Sequence, residues 1–130
     1  MAGRAEQMRQ RYEEFNRGDL ESALQDWADD FVWQGSNSTE LPGGGEHRGK
    51  DEAVKALQEA VGAWDEFKLS ADEFLEEGDT VVVLAHAEVR KGDNSAKTPV
   101  VHIWRWQGDQ LKRLQILTDT LQTAQLLGRA

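Results

Sequence analysis

The first apolar positions of the chain, Ala5, Met8, Tyr12 and Phe15, are spaced three, four and three apart, which sets them on one face of a helix. Gly18 stops that helix and Asp19 caps a second, with Leu20, Ala23, Leu24 and Trp27 as its stripe. Residues 31–36 open with the β-favouring Phe31, Val32 and Trp33 and read as a short strand. A glycine-rich stretch follows over 37–49, with Gly43, Gly44, Gly45, Gly49 and Pro42, and reads as a loop. A third helix starts near Asp51 and carries Val54, Leu57, Val61 and Trp64 on one face.

From there the period changes to two. Residues 67–77, 80–90, 97–106 and 111–118 read as strands, parted by turns at Gly78-Asp79, Gly92-Asp93-Asn94 and Gly108-Asp109. Strands joined by such short turns are antiparallel, because a parallel return needs a long crossover. Asp119 then caps a short final helix, with Gln122 in the capping-box position. The order α-α-β-α-β-β-β-β-α predicts an α+β fold: a cone-shaped, strongly bent sheet, antiparallel or mixed, with three helices from the first half on its concave face and a short C-terminal helix. Such a cone leaves a blind cavity of the kind small ligands prefer.

Composition narrows the chemistry. With 130 residues the chain suits one domain, 1–130, able to hold a core without staples. There is no cysteine, which removes disulfides, thiolate nucleophiles and cysteine-ligated metals. Asp and Glu number 24 against 15 Lys and Arg, a formal net charge of -9, which argues against a nucleic-acid partner. The charged start lacks the apolar stretch of a signal peptide, and no apolar run approaches a membrane span of roughly 20 residues, so a cytoplasmic protein without membrane contact is expected. Five tryptophans point to a large core, an interface or a ligand pocket. Three histidines without ligand spacing make no metal site, and no cofactor is expected. The glycine loop GGGEHRGK lacks phosphate-cradle spacing.

The segments YEEFNRGDLESALQDWADDFVW, LPGGGEHRGKDEAVKAL and VVHIWRWQGDQLKRLQILTDTLQTAQLL together resemble the SnoaL-like branch of the ketosteroid isomerase and nuclear transport factor two superfamily. The resemblance covers nearly the whole chain. It implies the cone fold, an apolar pocket and a two-fold homodimer formed through the sheet face. The superfamily hosts isomerases, cyclases and non-catalytic binders, so fold alone does not select among them. By alignment Gly35 stands where steroid isomerases carry their aspartate base, and no carboxylate falls at the place of their oxyanion acid, which Val101 or His102 occupies. Steroid isomerisation by that mechanism is therefore not expected.

Resemblance to SnoaL-type cyclases makes His102 and Asp119 the candidate acid–base pair, and Tyr12, Trp33, Trp64, His86 and Trp104 the candidate ligand-binding residues. Each has a structural alternative: Asp119 as helix cap, the histidines as satisfied sheet residues, the tryptophans as core. Strand alternation puts His102, Trp104 and Trp106 on one face and Val101, Ile103 and Arg105 on the other. The superfamily alignment favours the His102 face inward. Two functions stay open: proton transfer on a small carbonyl compound of the isomerase or cyclase kind, or a carrier or sensor using the same pocket.

Overall fold

A computed structural model of the protein describes residues 3–129, so Met1, Ala2 and Ala130, at the ends of the expected domain, lie outside the described residues. The elements are α1 (Arg4–Asn16), α2 (Leu20–Ala23), β1 (Trp27–Gln34), β2 (Glu46–Arg48), α3 (Lys50–Gly62), β3 (Glu66–Glu77), β4 (Thr80–Lys91), β5 (Asn94–Gln107), β6 (Gln110–Thr118) and α4 (Thr120–Leu126). All six strands form one sheet in the order β2-β1-β6-β5-β4-β3. Every neighbouring pair is antiparallel except β1 and β6, which run parallel. The α+β fold with a bent, mixed sheet is as expected from the pattern of the chain.

Two local readings need correction. The second helix is a single turn, and Trp27 begins β1 instead of ending a helical stripe. Asp19 does cap it, accepting from the Ser22 N–H, but Leu24 already leaves helical geometry and the next residues extend into β1. The supposed loop over 37–49 also hides a strand: β2 pairs with β1 through Val32–Arg48, Trp33–His47 and Gln34–Glu46. Three polar residues carry no period to read, so only pairing identifies them. The intervening loop folds back tightly, with Gly35 N–H donating to the Gly45 carbonyl and Gly45 N–H to that of Ser36.

Helix α1 buries Met8 and Tyr12 against the sheet, and its free N-terminal Ala5 N–H is capped by Glu76 from β3. Helix α3 buries the small residues Ala53 and Ala56, which lets it sit close to β1. On β5, Thr98, Val100, His102, Trp104 and Trp106 are buried, while Val101 and Ile103 are half-buried and Arg105 exposed. The His102 face is the one turned to the helices and core. Phe31, Val81, Val83 and Leu111 are fully buried in that core, and Trp27 stacks on Phe31 with 4.2 Å between ring centroids. Trp106 Nε1 is buried without a partner among the described residues, and the Arg4 guanidinium lies 4.5 Å from its ring centroid.

Candidate functional site

Between the helices and the concave face of the sheet lies a cavity of about 190 Å³. Its wall is mainly apolar, built from residues such as Leu57, Trp64, Phe67, Val100, Leu114 and Ile116. Four of the expected ligand-binding residues, Tyr12, Trp33, Trp64 and Trp104, line it together with His102. Trp33 is fixed by its indole N–H, which donates to the Gly43 carbonyl at 2.7 Å.

At the centre of the wall three side chains form a chain of hydrogen bonds. Trp104 Nε1–H donates to the Tyr12 hydroxyl at 2.8 Å, and that hydroxyl lies 2.6 Å from His102 Nδ1. An indole can only donate, so the Tyr12 oxygen is an acceptor there; in the tautomer where its own hydrogen goes on to His102, Nδ1 is the acceptor of the second bond. Burial pushes the Tyr12 phenol far above its ordinary range, so it stays protonated. Burial also lowers the His102 imidazolium pKa to about 4, so the ring is neutral at pH 7. A neutral imidazole that accepts at Nδ1 carries its hydrogen at Nε2. That Nε2–H has no protein partner among the described residues and is not sealed from solvent. In that tautomer His102 offers the cavity a neutral hydrogen-bond donor at Nε2, in a wall that also holds the Arg11 guanidinium and the Thr120 hydroxyl.

The other two expected site residues lie elsewhere. Asp119 is exposed at the start of α4, where its carboxylate accepts the Gln122 N–H at 3.0 Å, and it does not line the cavity. Only half of the capping box forms, because the Gln122 side chain accepts from Thr98 instead. His86 shares the outward parity of Val82 and Leu84 on β4 and meets Asp72 on the convex face, with Nδ1 2.8 Å from the carboxylate oxygen. The structure thus gathers Tyr12, His102 and Trp104 at one point and leaves Asp119 and His86 apart from it.

Several cavity residues carried no conspicuous signal in the chain. Arg11 is held by two carboxylates, Nε to Asp26 at 2.6 Å and Nη1 to Glu14 at 3.0 Å. Thr98, Thr118 and Thr123 also line the wall. Thr98 was within reach of the same alternation that placed His102, read two strand steps back. At Gly35, a Cβ would overlap the Gly43 carbonyl oxygen, so the loop leaves no space for a carboxylate side chain there. The ionisable residues of the wall are Arg11, Tyr12 and His102; among the described residues no Asp or Glu lines it. No group of three His, Asp or Glu side chains able to hold a metal ion occurs among them either. No described helix is long and apolar enough to cross a membrane.

Known proteins place this geometry in a family. The nuclear transport factor two-like protein of unknown function from Burkholderia pseudomallei is 29% identical, with a TM-score of 0.87 over 98% of each chain. A second such protein, from Burkholderia thailandensis, is 25% identical with a TM-score of 0.86, again over 98% of each chain. TerC, co-crystallised with polyporic acid, is 25% identical with a TM-score of 0.85 over 95% of this chain and 96% of its own. No curated protein sequence matches. The family model for the SnoaL-like domain matches residues 8–114, and the chain belongs to that family.

Proposed function

We propose that the protein binds a small, ring-shaped carbonyl compound in this cavity and polarises the carbonyl with the neutral His102 imidazole. The observation that carries this is the Trp104–Tyr12–His102 chain, which supports a tautomer with Nε2–H as a donor in a mainly apolar wall. A neutral ligand is favoured because the imidazole is uncharged and Arg11 is already matched by Asp26 and Glu14. The relative co-crystallised with a small organic molecule, polyporic acid, points the same way.

His102 acts here as an electrophile and not as the acid of an acid–base pair. Tyr12 cannot easily replace a proton passed on by the ring, since its phenolate would be desolvated. The donor would nevertheless strengthen its bond as negative charge grows on a carbonyl oxygen, which is how a neutral imidazole serves an enolising substrate. A carrier or sensor uses the same bond without turnover.

The test compares 1-tetralone with tetralin, its hydrocarbon, by quenching of tryptophan fluorescence. His102→Ala should weaken the ketone by roughly 1–3 kcal/mol, the cost of a buried hydrogen bond, and leave tetralin nearly unchanged. Equal losses for both would reduce His102 to a shaping residue and sink the proposal.

The convex face belongs to the same proposal as a two-fold dimer contact. Val82, Leu84, Val101 and Ile103 are half-buried there, and Leu75 and Leu117 are 48% and 51% exposed. Sedimentation at micromolar concentration should give a dimer, and Ile103→Glu with Leu117→Glu a monomer. A monomeric parent protein rules the contact out.

A further inference from the structure

The cavity has a polarity of its own. Its donor on β5 is His102 Nε2–H, while three of the four threonine hydroxyls in its wall, all but that of the exposed Thr120, have already spent their hydrogens on the protein. Thr118 donates to the Pro99 carbonyl at 2.8 Å, Thr123 to the Asp119 carbonyl at 2.9 Å, and Thr98 to Gln122 Oε1 at 2.8 Å. A backbone carbonyl can only accept, so for Thr118 and Thr123 the direction of the bond is not in question. A hydroxyl has one hydrogen and two lone pairs, so each of these oxygens can offer a ligand only acceptance. The threonines cluster where the C-terminal end of β6 and the start of α4 meet β5, and His102 stands further along the same inward row of β5 as Thr98.

The spacing of the two poles follows from the strand. Thr98 and His102 are four residues apart on one face of β5, roughly 13 Å of rise. Removing a hydrogen bond of about 2.8 Å at each end leaves about 8 Å between two ligand oxygens. Thr118, paired with Val100 midway between them, admits a shorter separation. A cavity of about 150 Å³ takes benzene, so 190 Å³ has room for a frame larger than benzene.

We infer that the occupant is a hydroxylated ring ketone, its carbonyl on His102 and its hydroxyl, at the opposite end of a frame of about two rings, donating to the threonine cluster. This rests on the carbonyl-anchoring reading above and adds the second pole. A ligand with acceptors at both ends meets lone pairs at Thr98, Thr118 and Thr123; one with donors at both ends meets a donor at His102.

The experiment titrates the full chain with tetralin, 1-tetralone, 6-hydroxy-1-tetralone and 6-methoxy-1-tetralone. The hydroxy ketone should bind about five- to tenfold more tightly than 1-tetralone, the value of one good hydrogen bond. The methoxy ether, with the same oxygen but no hydrogen, should show no such gain. In Thr98→Val and Thr118→Val, which keep the side-chain shape, the hydroxyl's advantage should shrink while 1-tetralone binding is unchanged. If 1-tetralone outbinds tetralin but hydroxy and methoxy ketones bind alike, the second pole is overturned and the carbonyl anchor stands. If the hydroxyl's advantage survives in the double Thr98→Val, Thr118→Val variant and in Thr123→Val, the threonines are not its partner and the inference fails. If 1-tetralone does no better than tetralin, both readings fall together.

Discussion

Strands β4 and β5 lie side by side, yet their two histidines end on opposite faces of the sheet. His102 turns inward, where its partner is the neutral Tyr12 hydroxyl. His86 turns outward, where its partner is the Asp72 carboxylate and its side chain keeps 18% of its exposure. One residue type thus meets two environments: a dry cavity whose burial keeps His102 neutral, and a half-exposed carboxylate on the outer face. The same division runs along both strands: inward residues such as Val81, Val83, Val100 and Trp104 are buried, while outward ones such as Val82, Leu84, Val101 and Ile103 are half-buried. A residue's chemistry in this protein is decided by the face it takes, and strand parity decides the face.

The sharpest way to break that contrast is to truncate neighbours of opposite parity. Trp104→Ala should destabilise the fold by about 3–5 kcal/mol, because it removes a buried indole and leaves Tyr12 without its donor. Ile103→Ala, one residue earlier on the other face, should cost under about 2 kcal/mol. Urea unfolding measures both, and equal losses would mean that the faces are not energetically distinct.

Acid titration comes next in size. The folded pKa of His102, about 4, lies below its ordinary value of 6.5, so the unfolded chain takes up the proton first. Its contribution is therefore complete above about pH 6.5 and is lost as pH falls towards 4, roughly 3 kcal/mol in all. The difference in unfolding free energy between the parent protein and His102→Gln should shrink over that window. A difference that holds constant down to pH 4 contradicts a neutral, buried ring.

The smallest effect belongs to the outer histidine. His86→Ala should change stability by less than about 1 kcal/mol, as expected for a pair with one largely exposed partner. A loss as large as that of Trp104→Ala would show that the convex face is packed as tightly as the concave one.

The fold was legible because most elements announce themselves by period: α1 by Met8, Tyr12 and Phe15, and the four long strands by alternation bounded by glycine turns. What escaped were features that only pairing creates. Strand β2 is polar and three residues long, and Trp27 continues a helical spacing until the sheet claims it. The site was legible in part. Alternation on β5 ties Trp104 to His102, but nothing local ties either to Tyr12, ninety positions away from His102. For Asp119 the local signal was sound, since the capping spacing to Gln122 describes its hydrogen bond. The threonines stayed hidden because a threonine in a strand is ordinary, and its meaning here depends on where its hydrogen goes.

The parallel contact between β1 and β6 carries a consequence for how the protein is made. Trp33 lies beside Leu114, so a strand from the first quarter of the chain waits for one of the last to be synthesised. Until then β1 has only the three-residue β2 as a paired strand, and Phe31 and Trp33 have no finished core to enter. Sheets that close through such distant partners form slowly, since the long loop must be drawn in before any contact rewards it. A nascent chain stalled before residue 110 would present β1 as an open, aromatic edge, the kind of surface that chaperones hold and that aggregates recruit.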